Sequence, residues 1–279
     1  MKVFSLACVG MSVLASGSLA RAAYVGAPDP NAADAASVYL FNGNANDATA
    51  NGRNLIGEGG PLSYTASGNH GQALDASSAG HNVPATMLGL PDYPGNSSVI
   101  VNTSNFAVEM AVNVLSNTSQ TFLGVNSVPG WGGNNRVFAL RSNADQSDPS
   151  RIYFEFAVQD AGGNLLTASS PSVPFSSVQG KWVGIAGRST GSTLELYVNG
   201  SLANSTNSAG ANVDFLTNQT VIRVGTDWGG GNRSFAMIDD LAIYNDDRTN
   251  FQNVPEPASI AGVFIAGAAL FGRRRRAVK

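Results

Sequence analysis

Apolar and polar residues alternate with a period of two through much of residues 38–250, which is typical of β-strands with one buried face. In residues 106–114, the five side chains at even positions are apolar and share one face. Residues 152–159 and 194–198 repeat this alternation, and Asn199-Gly200 then favours a tight hairpin turn. About ten such runs, separated by Gly, Asn, Asp and Ser, predict an all-β fold of two antiparallel sheets packed as a sandwich.

Composition and charge support short strands and exclude one class of partner. Charged residues make up 13% of the chain, and its 32 glycines suit many turns. Residues 23–253 contain 9 basic and 18 acidic residues, a net charge of −9. A body this acidic repels a phosphate backbone, so nucleic-acid binding is not expected.

The first 22 residues have the features of a secretory signal peptide. Lys2 gives a positive start, residues 3–14 are mostly apolar, and Ala20-Arg21-Ala22 places small residues where a signal peptidase reads them. We expect cleavage after Ala22 and export of the remainder. The chain's one cysteine, Cys8, would be removed with this segment. Residues 23–37 would form a linker to a single domain, 38–250.

An apolar run precedes a basic cluster near the C-terminus. Residues 260–272 are apolar or small, and they are followed by Arg273, Arg274, Arg275 and Arg276. As a helix the run spans about 20 Å, less than the roughly 30 Å hydrocarbon core of a bilayer. Four arginines would hold that end on the cytoplasmic side. The sequence therefore predicts a short transmembrane helix that makes transient contact with the inner membrane, with the body outside.

The tail as a whole resembles the PEP-CTERM sorting signal. Its three parts occur in that signal's order: Val254-Pro255-Glu256-Pro257-Ala258-Ser259, the apolar helix and the arginine cluster. The resemblance implies that residues 251–279 are recognised and cleaved near Pro255-Glu256-Pro257 by an exosortase, a membrane-embedded cysteine protease. Glu256 would be a recognition residue, in a segment that its two flanking prolines keep extended. The expected destination is the cell surface or the extracellular matrix.

The body resembles the laminin-G-like branch of the concanavalin A-like jelly rolls. The similar segments, in the family's order, are residues 39–47 (YLFNGNAND), 71–75 (GQALD), 180–182 with 194–200 (GKW and LELYVNG), and 238–245 (IDDLAIYN). The resemblance implies a two-sheet antiparallel jelly-roll sandwich, which short apolar helices would flank at the two ends of the chain.

Members of this superfamily often hold a structural calcium ion where the first and last strands meet. The matching residues are Asn42, Asn44, Asp47, Asp239 and Asp240, whose oxygen atoms are the ligands that Ca²⁺ prefers. Since consecutive strand residues point to opposite faces, only one of the last two would be a ligand. We choose Asp240, on the face of Ile238 and Tyr244, as the fourth ligand with Asn42, Asn44 and Asp47. The alternative is that these residues only bond the backbone of turns.

A catalytic role is not expected. Glycan hydrolases of this fold need two carboxylates about 5 to 9.5 Å apart, whereas Glu58, Glu109, Glu155 and Glu195 are scattered singly. Glu109 and Glu155 lie at polar positions of alternating strands, where we expect them to be solvated. No Ser–His–Asp or metal-binding spacing surrounds His70 or His81, so both are expected to be ordinary loop residues.

Three tryptophans divide between core and loops. Trp182 follows a turn and is expected to anchor the core, because large aromatic side chains dominate core energetics. Trp131 and Trp228 lie among glycines in loops 126–136 and 226–233. There they suit either stacking on a sugar ring or covering the end of the core.

These expectations combine into an exported cell-surface protein, a non-catalytic binding module that contacts glycan, exopolysaccharide or another matrix polymer. Two alternatives remain: a purely architectural envelope protein without a small ligand, and a jelly-roll glycan hydrolase. Apart from calcium, no cofactor is expected. The expected processing partners are a signal peptidase and an exosortase.

Overall fold

The computed structural model describes residues 26–57, 60–77, 85–88, 104–127, 136–160, 164–208, 220–226 and 232–251. All of them lie within one compact unit, Tyr24–Pro255. The predicted signal peptide, the sorting motif and the apolar helix 260–272 lie outside the described residues.

The described ranges contain sixteen β-strands and one helix of a single turn. They are β1 (Ala35–Tyr39), β2 (Ile56–Gly57), β3 (Tyr64–Thr65), β4 (Ala73–Asp75), β5 (Ala85–Leu88), β6 (Asn105–Val114), β7 (Gln120–Ser127), β8 (Arg136–Ala144), β9 (Arg151–Gln159), β10 (Leu165–Ser169), β11 (Val173–Pro174), α1 (Phe175–Val178), β12 (Trp182–Thr190), β13 (Thr193–Val198), β14 (Ser201–Asn207), β15 (Thr220–Val224) and β16 (Ala236–Tyr244).

The strands form two antiparallel sheets of eight. The first has the order β14-β13-β12-β6-β16-β4-β3, and β1 also pairs with β16. The second has the order β10-β9-β8-β7-β15-β5-β2, and β11 also pairs with β9. The prediction of an all-β, two-sheet antiparallel sandwich is confirmed.

The main core lies between the sheets and consists of the apolar faces that alternation predicted. Phe106 on β6 meets Phe138 on β8 and Phe156 on β9, with ring centroids 5.2 and 6.1 Å apart. All three side chains are fully buried. Gly187 on β12 makes room for this cluster, because a Cβ there would lie 2.4 Å from a ring atom of Phe156.

Strand β16 lies in the interior of the first sheet and has two partners along one edge. On its other edge it pairs with β6. Along the shared edge, β4 pairs with Met237 and Ile238, while β1 pairs with residues 241–244. The pairing with β6 shifts register between Asp239 and Ala242, where Asp240 has a φ of 53°. A bulge therefore marks the point where the edge partner changes from β4 to β1.

The outer face of the first sheet carries a second, smaller apolar cluster. It contains Val38, Ala107, Ala186, Ala242, Tyr244 and Phe251, with Ala35, Leu40 and Tyr197 packed against it. Residues 245–251, here called the C-terminal strap, return along this face after β16. Arg248 lies 3.9 Å from the centre of the Tyr244 ring and 3.2 Å from Asp34, and Phe251 packs 5.0 Å from Tyr197. The strap thus covers part of a sheet face that alternation alone would leave to solvent.

Candidate functional site

Two consecutive carboxylates at the β16 bulge bind the turn that precedes β4. One oxygen of Asp239 accepts the backbone N–H groups of Asn69 and His70 at 2.8 and 3.1 Å, and its other oxygen accepts the N–H of Asp240 at 2.9 Å. Asp240 accepts from the side-chain amide of Asn69 at 2.9 Å and lies 2.5 Å from Nδ1 of His70. The two Asp side chains are fully buried, whereas the imidazole is 28% exposed.

The surroundings of this cluster disfavour its negative charge. Burial, followed by the neighbouring charge of Asp240, raises the pKa of Asp239 from 3.8 to about 8 against the opposing effect of the three N–H donors. Burial also raises the pKa of Asp240, opposed by its hydrogen bonds from Asn69 and His70. The two carboxyl groups are coupled, so their protons belong to the pair rather than to either residue alone.

The expectation that Asp239 and Asp240 point to opposite faces, with Asp240 beside Ile238 and Tyr244, is wrong. Ile238 shares the main core with Leu241, whereas Tyr244 belongs to the outer-face cluster. A regular strand would place Ile238 and Tyr244 on one face, and the extra residue at the bulge reverses the alternation. Both carboxylates consequently reach the same turn. His70, expected to be an ordinary loop residue, belongs to this cluster.

Asp47, the third predicted calcium ligand, is committed to its own loop. One carboxylate oxygen accepts the N–H groups of Val38 and Thr49, both at 3.0 Å. The other accepts the Thr49 hydroxyl at 2.9 Å and the N–H of Arg53 at 3.0 Å. Four donors occupy the four lone-pair sites of this carboxylate. Asp47 is therefore a turn organiser, the alternative that the sequence left open.

The remaining predicted ligands also bond the backbone. The side-chain oxygen of Asn42 accepts the N–H of Gln72 at 3.0 Å, and that of Asn44 accepts the N–H of Asn46 at 3.0 Å. Among the described residues, no group of three or more His, Cys, Asp and Glu side chains is arranged to hold a metal ion. Asn42, Asn44, Asp47 and Asp240 therefore do not fit calcium as one ligand set.

The expectation that Glu109 and Glu155 are solvated is wrong. Glu109 on β6 is fully buried, and it accepts the Tyr244 hydroxyl at 2.5 Å. Glu155 on β9 is 7% exposed, forms an ion pair with Arg141 and accepts the Ser169 hydroxyl at 2.9 Å. Both residues do lie on the faces turned away from the main core, as alternation predicted. Their neighbours on those faces bury them.

Trp182 does not lie in the core, where it was expected. Trp182 is half-buried, and it belongs to neither apolar cluster. Its neighbours Val183 and Ile185 face the main core, so Trp182 stands on the outer face of the first sheet and does not anchor the core. Trp131 and Trp228 lie outside the described residues.

Comparison with known families agrees with the sandwich. A family model described as the concanavalin A-like lectin/glucanases superfamily (Laminin_G_3) matches residues 92–252, more than half of the chain. The chain belongs to this superfamily. Strands β1 to β5 precede the matched region, yet β1 and β4 pair with β16 and β5 pairs with β15. Strands on both sides of residue 92 therefore belong to the same two sheets.

Solved structures share the superfamily fold at low identity. The receptor-binding domain of botulinum neurotoxin C/D mosaic serotype is 14% identical with a TM-score of 0.51, and the match covers 85% of this chain and 51% of that one. The binding domain of serotype G is 12% identical with a TM-score of 0.50, covering 88% and 53%. This chain thus spans about half the length of these toxin domains. Domain 4 of AbnA, a GH43 extracellular arabinanase from Geobacillus stearothermophilus solved with arabinotriose, is 19% identical with a TM-score of 0.49, covering 76% and 93%.

No curated protein sequence matches this superfamily member. In the ranges that the structure describes, no helix is both long and apolar enough to cross a membrane.

Proposed function

We propose that this chain is an exported, non-catalytic binding module that contacts a glycan or matrix polymer at the cell surface. Membership of the concanavalin A-like lectin/glucanases superfamily supports a binding or glycan-processing role. The observation that supports binding over hydrolysis is the use of the carboxylates: those of the described strands are engaged in contacts within the protein.

Hydrolysis of a glycosidic bond needs two carboxyl groups that face the substrate across the scissile bond. Glu109 and Glu155 are buried against Tyr244 and Arg141, as described above. Glu195 forms an ion pair with Arg188 at 2.8 Å and accepts the Tyr197 hydroxyl at 2.7 Å. The adjacent carboxylates, Asp239 and Asp240, are fully buried and hold the turn at residues 69–70. These contacts favour a binding module over a hydrolase.

The proposal includes the route to the surface. A signal peptidase removes residues 1–22, residues 260–272 hold the chain transiently in the inner membrane, and an exosortase cleaves near Pro255-Glu256-Pro257. The support is the order of sequence features at the two ends. The described strap is consistent with this route, since Phe251 packs on the domain three residues before the hexapeptide starts.

Two assays on the purified full chain, kept in mild detergent, test the binding function. We expect it to bind members of a polysaccharide and oligosaccharide array and to release no reducing sugar from the same polysaccharides. Reducing-sugar release would establish the hydrolase instead. An array without binding, together with no release, would leave the architectural envelope protein as the function.

Cell fractionation tests the route separately. We expect the chain at the cell surface or in the medium when the sorting protease is intact, and in the membrane fraction when that protease is deleted. A matched variant, Glu256→Gln, should accumulate in the membrane fraction even in cells with the protease. An unchanged distribution in both strains would overturn the sorting proposal while leaving the binding proposal intact.

A further inference from the structure

One end of the first sheet's outer face carries apolar side chains around a buried amide. Trp182 and Met237 are the cross-strand neighbours of Asn113 on its two sides. Leu115 and Phe235 continue the same two strands, joined by a hydrogen bond from the Leu115 N–H to the Phe235 carbonyl at 2.9 Å. By alternation all five side chains point away from the main core. We call these five residues the end patch.

The apolar members of the end patch are exposed or half-buried. Leu115 is 38% exposed and Phe235 is 48% exposed, while Trp182 and Met237 are half-buried. None of the four belongs to either apolar cluster of the fold. They lie at neighbouring positions of one sheet face, and exposed apolar groups that share a face mark interaction sites.

The side chain of Asn113 has a buried polar atom that the protein leaves without a partner. Its residue is 5% exposed, and its side-chain oxygen is buried without a hydrogen-bond partner. Leaving a buried amide unsatisfied is unfavourable, and an apolar residue of similar size would avoid the loss. Ala111 and Gly184, the next residues on this face, are too small to offer a partner. The buried oxygen of Asn113 therefore has no partner within the protein that would offset the cost of its burial.

The chemistry of the end patch selects the class of ligand. A lipid chain would cover the patch but has no donor for the buried oxygen of Asn113. A charged ligand would find no opposite charge among the five residues of the end patch, which are all neutral. A neutral sugar has an apolar face that packs on an indole ring and hydroxyl groups that bond an amide as both donor and acceptor.

We propose that the end patch is a saccharide-binding site, in which a neutral sugar ring stacks on Trp182 and two of its hydroxyl groups bond the Asn113 amide. Met237 is unbranched and flexible, so it can move aside to give a ligand access to the amide beside it. This assignment rests on the proposed glycan-binding function and names the surface that carries it.

Two variants of the full chain test the site, with neutral oligosaccharides of glucose, mannose, galactose and arabinose as probes in isothermal calorimetry. We expect Asn113→Leu and Trp182→Ala each to weaken binding at least tenfold. Asn113→Leu should unfold at the same or a higher urea concentration than the wild type, because it removes an unsatisfied amide. Loss of binding with a less stable fold would indicate a structural residue and overturn the assignment.

Two variants at exposed apolar residues outside the end patch, Ile56→Ala and Leu202→Ala, serve as matched controls and should bind like the wild type. If Trp131→Ala or Trp228→Ala loses binding while Asn113→Leu keeps it, the end patch is not the site, although the proposed function stands. A wild type that binds none of the probes, and none of the polysaccharides on the array, would overturn both. Dimerisation in sedimentation that Asn113→Leu abolishes, without saccharide binding, would assign the patch to a second copy of the chain.

Discussion

Burial and hydrogen bonding act in opposite directions on the pKa of Asp239. Three backbone N–H groups favour its charged form, while burial and the adjacent Asp240 disfavour it. Burial has the larger effect, so the pKa is raised to about 8. Between the unfolded pKa of about 3.9 and this value, the native state holds a proton that the unfolded chain has released. Raising the pH through this window therefore favours unfolding.

The variant Asp239→Asn tests this balance. A neutral amide resembles the protonated carboxyl group, so we expect the variant to match the wild type at about pH 3, where the carboxyl group is protonated in the folded and the unfolded chain, and to be more stable than it at pH 8. Urea unfolding at the two pH values measures the difference. Asp246→Asn, at an exposed position on the strap, should follow the wild type at both. Parallel pH profiles for the wild type and Asp239→Asn would show that Asp239 is ionised throughout.

The face on which a side chain lies was predicted correctly where it depends only on neighbouring residues in the sequence. Alternation identified the buried faces of β6, β9 and β13. It failed at Asp239 and Asp240 because the bulge depends on where β4 gives way to β1, and those partners are remote in sequence. Alternation also predicts that Glu109 lies on the sheet face turned away from the main core. It does not predict that Tyr244 on the same face bonds and buries it.

At the scale of elements, the C-terminal strap attaches the end of the domain to the first sheet. Arg188 on β12 donates to the carbonyl of Asp247 at 2.6 Å and to its carboxylate at 3.1 Å. The ring of Phe251, which is 6% exposed, packs against Tyr197 on β13. Since no described strand pairs with residues 246–251, these side chains determine how firmly that part of the strap is held.

Phe251→Ala should loosen the strap without unfolding the sheets. An aromatic pair contributes about 0.5 to 1.5 kcal/mol beyond its buried area. Because a protease cleaves only the opened form of such a segment, loss of the aromatic pair alone makes cleavage about two- to tenfold faster, and the lost burial of the ring increases the rate further. The measurement is the rate at which trypsin cuts after Arg248, followed by mass spectrometry. Thr249→Ala, at an exposed position of the same strap, is the control and should leave the rate unchanged. Equal rates for the two variants would show that Phe251 does not hold the strap.

At the scale of the whole molecule, turn spacing and strand period were enough to predict two antiparallel sheets. The resemblance in residues 39–47 and 238–245 also paired the opening and closing strands correctly, and β1 does pair with β16. The predicted calcium site depends on a finer level of detail. Asp47 and Asp240 were grouped because their strands are neighbours, but each carboxylate is bound by donors of a different turn.

Removal of divalent cations should consequently leave the domain unaffected. Because the four predicted ligand residues already bond donors within the protein, we expect the Tm of the purified chain to be the same in EDTA and in calcium. Differential scanning calorimetry measures it. A Tm that falls in EDTA and returns when calcium is restored would contradict this expectation and identify an ion that binds the native state.

The position of β16 also determines the order in which the molecule can be completed. It is the last strand of the described chain, yet β1, β4 and β6 all pair with it in the interior of the first sheet. A chain that emerges from a ribosome or a translocation channel N-terminus first must keep those three strand edges open until residues 236–244 arrive. Ala35 then pairs with Tyr244. These two residues lie near opposite ends of the domain's sequence, and contacts between residues so far apart in sequence form slowly. Assembly of the first sheet must therefore wait for synthesis to pass Tyr244, and a chaperone that covers open strand edges would have its longest access to β1, β4 and β6.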